Sequence, residues 1–405
     1  MSEMTAMTAM TAMTAMTAMT AMTGRPGNGL AALTGQYGEP LTTDALITSR
    51  ARNTADGAPL PYVPARLTPF GPNEMPDADD PAKLGWWQPE VRAHICALVL
   101  ADGLEFVLDK SDAERPRLAM NYVSRKAIDL TGLQLSEAQT RSLSALRVAQ
   151  PDPIVDIQRP MRNVIDAQLA KVIAHANEQL RRSRAIEAMA QMLPQVPFWA
   201  SVVPLSPWRT PNTYEFVGIA LKFANEVCHR FKHSLAVPRP SELSPLVQPI
   251  LQTPGWAALP SGHATEAFMF SRLIISLLGQ QPDNNSQLWR TLEMQAASIA
   301  DNRVYAGLHY PVDGVAGRLL GNALAQYVVA ACTGTAWLPR RFVASDGAAE
   351  NALKGVDLDI HVAFDGAAYF GEDAAQKRAP NPILAEMWRR ARVELAGLGF
   401  GTVGP

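Results

Sequence analysis

Residues 160–194 read PMRNVIDAQLAKVIAHANEQLRRSRAIEAMAQMLP. Val164, Ile165, Leu169, Val172, Ile173, Leu180, Ile186, Met189 and Leu193 recur at spacings near three and four, with Arg181, Arg182 and Arg184 on the other side. An α-helix makes a turn in about 3.6 residues, so this spacing gathers the apolar side chains on one stripe. The stretch predicts a long amphipathic helix with its arginines facing away from the core. It points to an all-α fold.

The same periodicity extends outward from this segment. It predicts helices near 90–108, 116–130, 136–147, 213–233, 263–279, 286–302, 312–332 and 381–396. No convincing run of alternating apolar and polar residues marks a strand. No repeat of solenoid length appears. Residues 319–339 carry no charge and approach the length of a membrane span. Asn322, Gln326, Thr333, Gly334 and Thr335 interrupt them, and Gly317, Gly321, Ala323 and Ala325 supply small side chains. The expectation is a buried core helix and no membrane span.

The first ninety residues read differently. Residues 4–21 are six copies of Met-Thr-Ala, and eight of the sixteen methionines fall within residues 1–23. A period of three turns about 300° per step and cannot hold one helical face. Residues 1–23 are therefore expected to be a disordered low-complexity repeat. They have no basic start and no continuous apolar stretch, and the first positive residue is Arg25. A cytoplasmic location is expected. Residues 24–89 are rich in proline, including Pro59, Pro61, Pro64, Pro69, Pro72, Pro76 and Pro81. Prolines that dense exclude long elements. An extended arm is expected, anchored by Trp86 and Trp87, ahead of a single helical domain over residues 90–400.

The 405 residues carry 36 Lys and Arg against 38 Asp and Glu, a formal net charge of −2. That balance argues against a nucleic-acid partner, which normally leaves a basic face or tail. With 47% hydrophobic and 18% charged residues, the composition is that of a globular chain. Cys96, Cys228 and Cys332 are too few and too far apart for a disulfide framework or a tetrahedral zinc cluster.

Three short segments carry chemistry. The first runs from Lys232 to Pro240, with Arg239 held between Pro238 and Pro240. Arg offers a planar fork to a tetrahedral oxyanion, and Lys a point charge. The second is Pro260-Ser261-Gly262-His263, followed by an apolar helix. Ser261 suits an N-cap, and the amide N–H groups at a helix start cradle an anion. His263 sits in that first turn, placed to handle a proton. The third runs from Arg303 through His309 to Asp313. Pro311 opens the next helix, which puts Asp313 in its first turn. A carboxylate there can accept from one imidazole nitrogen of His309 and leave the other free as nucleophile or metal ligand.

In this order the three segments resemble the signature motifs of the type 2 phosphatidic acid phosphatase and vanadium-dependent haloperoxidase superfamily. The resemblance covers about residues 213–332, with Asn302 where many members have Ser. It implies a helical bundle of the acid phosphatase and vanadium haloperoxidase type, in agreement with the periodicity. It further implies that Lys232, Arg239 and Arg303 bind the oxygens of phosphate or vanadate, that Ser261 and the Gly262 amide add hydrogen bonds, and that His263 is the acid–base residue. His309 would attack phosphorus or coordinate vanadium, and Asp313 would orient His309.

The motifs do not separate the two activities. A long chain without membrane spans looks more like the haloperoxidase branch, in which an aromatic residue or His shortly before the Pro-Ser-Gly-His motif tunes halide oxidation; Trp256 holds that place. The expectation is therefore vanadate as cofactor, with hydrogen peroxide and halide as reactants. The alternative is a phosphatase acting on a small phosphate ester or pyrophosphate, with His309 as nucleophile, His263 as general acid and no cofactor. The gaps of 20 residues between Pro240 and Ser261 and 39 between His263 and Arg303 resemble the phosphatases. A homodimer is left open. A zinc site on His229 and His233, four apart on one helix, is disfavoured by Lys232 beside it. His94, His175 and His361 have no nameable partners.

Overall fold

A computed structural model describes residues 77, 79–85, 87, 89–127, 147–176, 178–192, 195–280, 286–343, 370–372 and 375–399. The Met-Thr-Ala repeat, most of the proline-rich arm, and the predicted helix 136–147 up to residue 146 lie outside these residues. In chain order the elements are α1 (Pro89–Ala101), β1 (Leu104–Asp109), β2 (Arg117–Ala127), β3 (Arg147–Gln158), α2 (Arg162–Ala176), α3 (Gln179–Ala190), α4 (Val196–Ala200) and α5 (Pro211–Leu235). They continue with α6 (Pro240–Leu243), α7 (Gly262–Leu277), α8 (Gln287–Tyr305), α9 (Pro311–Thr333), β4 (Arg340–Phe342), β5 (Phe370–Glu372) and α10 (Pro382–Gly397).

The helical bundle is built on α5, α7, α8 and α9, with boundaries set by local chemistry. Pro211, Pro311 and Pro382 open α5, α9 and α10 at the first turn, where a missing N–H costs nothing. Ser286 caps α8 by accepting from Trp289 N, and Asn381 caps α10 through Ile383 N and Leu384 N. Gly334, at φ 72°, ends α9 in the left-handed conformation that glycine adopts without penalty.

Helices α7 and α9 pack most closely. A Cβ at Gly317 would lie 2.7 Å from the carbonyl oxygen of Ser261, and one at Gly321 would collide with that of Thr265. The two glycines thus let the backbones touch, and this brings the start of α7 beside the start of α9, where Ser261 N donates to Asp313 O at 2.9 Å. Around the crossing, Phe268, Phe270, Leu273, Leu319, Leu320 and Leu324 are almost wholly buried. Each such side chain contributes roughly 1.5–3 kcal/mol on leaving water. Among the described residues, Pro311–Thr333 alone is long and apolar enough to cross a membrane; 89% of its most apolar window is buried inside the protein, as expected for a core helix.

The local readings differ from the structure in three places. The predicted helix near 90–108 stops at Ala101 and continues as β1. The predicted helix near 116–130 is β2. Leu118 and Met120 are buried in β2, a two-residue alternation that a helical spacing of threes and fours overlooks. Residues 147–158 add β3, so the bundle carries a five-stranded sheet in the order β1-β2-β3-β4-β5, antiparallel except for β3 with β4. The sheet leans on α9 through Tyr122, Tyr327 and Trp337, whose rings lie within about 6 Å of one another in centroid distance, and on α5 through Phe106 edge-on to Phe231 at 6.0 Å.

The third difference concerns residues 160–194. They form two helices, α2 and α3, and only α2 follows the predicted stripe, with Val164, Ile165 and Val172 buried. In α3 the faces are exchanged. Ile186 is 76% exposed and Leu180 and Met189 are also out, whereas Arg181 is buried. The break after Ala176 resets the helical phase. The inward guanidinium is offset by carbonyl partners, since Arg181 donates to Val247 O and Gln248 O.

The described end of the arm, Pro81–Gly85, is a short 3-10 turn with Leu84 buried. Arg92 ties it down by donating to Leu84 O and Trp87 O while pairing with Glu215 of α5 at 2.6 Å. Trp87, expected to anchor the arm, is exposed. Trp86 lies outside the described residues.

Candidate active site

The last turn of α5 carries Lys232 inward. Its ammonium donates to Ala257 O at 3.1 Å and Ala258 O at 2.9 Å, and the third hydrogen stays uncommitted. Burial pushes it down to about 8. Past the helix end, Pro240 starts α6 and fixes Arg239, whose own N–H donates to Glu242 Oε2 at 2.6 Å. The guanidinium donates from Nε to Trp256 O at 2.8 Å and from Nη1 to Leu308 O at 2.8 Å.

Ser261 caps α7 through Ala264 N, a long contact at 3.5 Å. Gly262 opens the helix, and a Cβ there would meet only Cys228 Sγ, at 4.0 Å. Protein packing therefore does not demand glycine at this position, since the space a Cβ would enter is open. His263 follows. Its Nε2 lies 3.1 Å from the carbonyl oxygen of Gln191. A carbonyl only accepts, so the proton sits on Nε2 and Nδ1 is bare. Burial, then the charge of Arg303, pushes the imidazole down to about 3.

Asp313, in the first turn of α9, is fully buried. Its Oδ2 accepts from Tyr310 N at 3.0 Å and from His309 Nδ1 at 2.9 Å. This fixes the His309 proton on Nδ1 and leaves the Nε2 lone pair facing Arg239 Nη1 at 3.0 Å. Burial raises the Asp313 carboxyl to about 7. His309 is held well below its ordinary value by burial and then by Arg239 and Lys232, so the ring is neutral.

Arg303 ends α8. It is completely buried, and burial lowers it to about 10. Only Nη2 has protein partners, Ala188 O at 2.6 Å and Gln191 Oε1 at 3.2 Å. Nε and Nη1 are buried with no partner. The predicted cations and histidines are thus brought into one buried cluster, linked by the Arg239–His309 contact and by Gln191 between Arg303 and His263. Trp256 stands apart in mode: its backbone carbonyl holds Arg239, while its ring packs edge-on against His229 at 5.2 Å.

Sequence reasoning predicted helix at α3 but missed its part in the site. Gln191 accepts through Oε1 from both Arg303 and Asn302 and donates through Nε2 to Glu187. Asn302 in turn accepts from Arg184, which is stacked over Tyr305. The available signal was the inward period of Arg184, Glu187, Ala188 and Gln191, a polar stripe hidden behind the apolar one.

Among the described residues, no three His, Cys, Asp or Glu side chains converge as a metal cluster. His229 gives Nδ1 to Asn225 O, and His233 is exposed. His175 pairs with Glu178, His94 is exposed, and His361 lies outside the described residues.

No curated protein matches the chain. Among solved structures it is similar to a chain described as the first bacterial vanadium-dependent iodoperoxidase, at 18% identity and a TM-score of 0.32. That match covers 41% of this chain and 47% of the other, so the chain spans less than half of that protein's length. A family model matches over residues 215–336, the segment that carries all three motifs. That family model is described as the PAP2 superfamily, and the similarity lies in this segment.

Proposed function

We propose that this protein is a haloperoxidase-type enzyme that oxidises halide with hydrogen peroxide at a vanadate held by His309. The observation that carries the reading is the pairing of enclosure with unmet donors. Lys232, Arg239, Ser261, Arg303, His309 and Asp313 are each 4% exposed or less. Inside that enclosure two N–H groups of Arg303 have no acceptor. Leaving a buried donor unmet costs about 1–3 kcal/mol, and a tetrahedral oxyanion offsets that cost. A closed pocket of this kind suits a small ion and small reactants better than a bulky ester.

The donor set fits vanadate. His309 Nε2 would be the ligand atom, while Arg239, Arg303, Lys232, Ser261 and the Gly262 N–H would take the oxygens. When bound, vanadate supplies a Lewis-acid centre that makes peroxide electrophilic toward halide. The chain's own part is to bind, orient and move protons. Asp313 keeps the His309 proton on Nδ1. His263, neutral near pH 7, accepts a proton from hydrogen peroxide at Nδ1. Trp256 tunes halide oxidation by holding Arg239 through its carbonyl and keeping an apolar ring at the side of the pocket.

A phosphatase reading is favoured by a different observation, the bare Nε2 of His309. Such a nitrogen is a ready nucleophile, and no cofactor would be needed. It requires His263 to arrive protonated to release the leaving alkoxide, against the direction in which burial and Arg303 drive that ring.

The test is an assay of dione bromination with vanadate, peroxide and bromide, run beside aryl phosphate hydrolysis without vanadate. Bromination is expected. Phosphate release without any bromination would refute the peroxidase reading.

A further inference from the structure

The end of α3 touches both working sides of the pocket through one residue. Gln191, fully buried, is the C-cap of α3. Its amide is oriented without ambiguity: Nε2 donates to Glu187 Oε1 at 2.8 Å, so Oε1 must face the donors of Arg303 and Asn302. Its main-chain carbonyl takes the Nε2 proton of His263. Ala188 O, among the last carbonyls of the same helix, is the other acceptor of Arg303 Nη2. Helix geometry leaves these terminal carbonyls without partners and gives that end partial negative charge.

We propose that Gln191 is a two-point positioning residue for the reaction, resting on the reading of the pocket as an oxyanion site. Its side chain and Ala188 O occupy Nη2 of Arg303 and fix the guanidinium, leaving Nε and Nη1, which point to different sides, as separate donors for the bound oxyanion. Its main chain fixes His263 in the Nε2–H tautomer and makes Nδ1 the atom that exchanges protons with substrate. Glu187 is its keeper, accepting from Ser298 Oγ at 3.2 Å as well as from Gln191. Gln191 itself touches no reacting atom.

The two halves separate experimentally. Gln191→Met removes the side-chain acceptor and keeps the main-chain carbonyl. Binding of inorganic phosphate by calorimetry should weaken ~10-fold, the size of one lost charge-assisted hydrogen bond. The same substitution in an Arg303→Met background should change affinity less than ~2-fold, because the contact it acts through is gone. Equal losses in both backgrounds would overturn the side-chain role. The main-chain role is read on the unsubstituted protein by nitrogen NMR, with His263→Gln used for assignment. A protonated Nε2 and a bare Nδ1 are expected, and the opposite tautomer would overturn it even if Gln191→Met failed to fold. If the unsubstituted protein binds neither phosphate nor vanadate, the oxyanion reading fails and this inference falls with it. Normal binding with no effect of Gln191→Met refutes the inference alone.

Discussion

Ser261 and Asp313 stand at the first turns of α7 and α9, whereas Gln191 stands at the last turn of α3. The two walls of the pocket therefore present opposite ends of helices. The α7 start turns N–H donors and positive partial charge to the pocket, the arrangement that receives an anion. The α3 end turns carbonyls to it, and these receive N–H donors: Ala188 O takes Arg303, and Gln191 O takes His263. On the proposed reading, one wall would hold a ligand and the other the residues that hold the ligand. A motif marks the first kind of wall, because its side chains act on the ligand directly. The second kind works largely through the main chain and leaves little trace in residue type.

The sharpest way to break that comparison is at the ligand wall. His309→Ala should cut turnover by roughly 10³-fold or more, since the group that would meet the central atom is lost. Full activity in a steady-state assay would remove the shared pocket altogether. Next in size is the crossing that sets the two helix starts side by side. Gly321→Ala should destabilise the fold by about 3 kcal/mol, the upper end of overpacking costs, because backbone rather than a movable side chain meets the new methyl. An unchanged midpoint in denaturant would show that the helices can part without loss.

On the α3 side, Arg181→Leu should cost about 2 kcal/mol, chiefly from the buried Val247 carbonyl left unpaired. Chemical denaturation reads it, with pocket affinity expected to hold. A smaller effect belongs to Lys232, whose charge is complete below about 8 and lost above it. Phosphate affinity should therefore show an extra fall of about tenfold per pH unit above that point, absent in Lys232→Met. A profile identical in the two proteins would mean that Lys232 does not face the anion. The smallest effect is expected at Ile186→Ser on the outer face of α3. With that side chain in water, the change in stability should stay within about 0.5 kcal/mol. A large loss would mean that this apolar face is covered by something in solution.

The same contrast governs what could be read in advance. The helices α5, α7, α8, α9 and α10 were legible because their stripes are long and their ends carry Pro, Ser, Asn or Gly. The residues from Lys232 to Asp313 were legible because they fall in three short motifs whose order and residue types resemble a known signature. β2 was not, since its Leu118, Met120 and Tyr122 alternation sits in a short run that helical spacing also accommodates. The phase of α3 was not, because Leu180, Ile186 and Met189 form a helical stripe whichever way it faces. Only the acceptors available to Arg181 and Arg184 decide the direction.

Residue types and spacing alone pointed to a largely helical chain, and the motif resemblance grouped Lys232, Arg239, Arg303, His263 and His309 in one site with Asp313 beside His309. Those properties follow from chemistry written into side chains a few residues apart. The tertiary structure decided the rest: the sheet against α5 and α9, the inward turn of α3, the two unpartnered nitrogens of Arg303 and the unprotonated nitrogen on each histidine. Each of these depends on a carbonyl or carboxylate brought up from a distant part of the chain or from a turn whose shape residue type does not dictate. A hydrogen bond needs its two atoms within about 3 Å and in line, and folding alone supplies that condition.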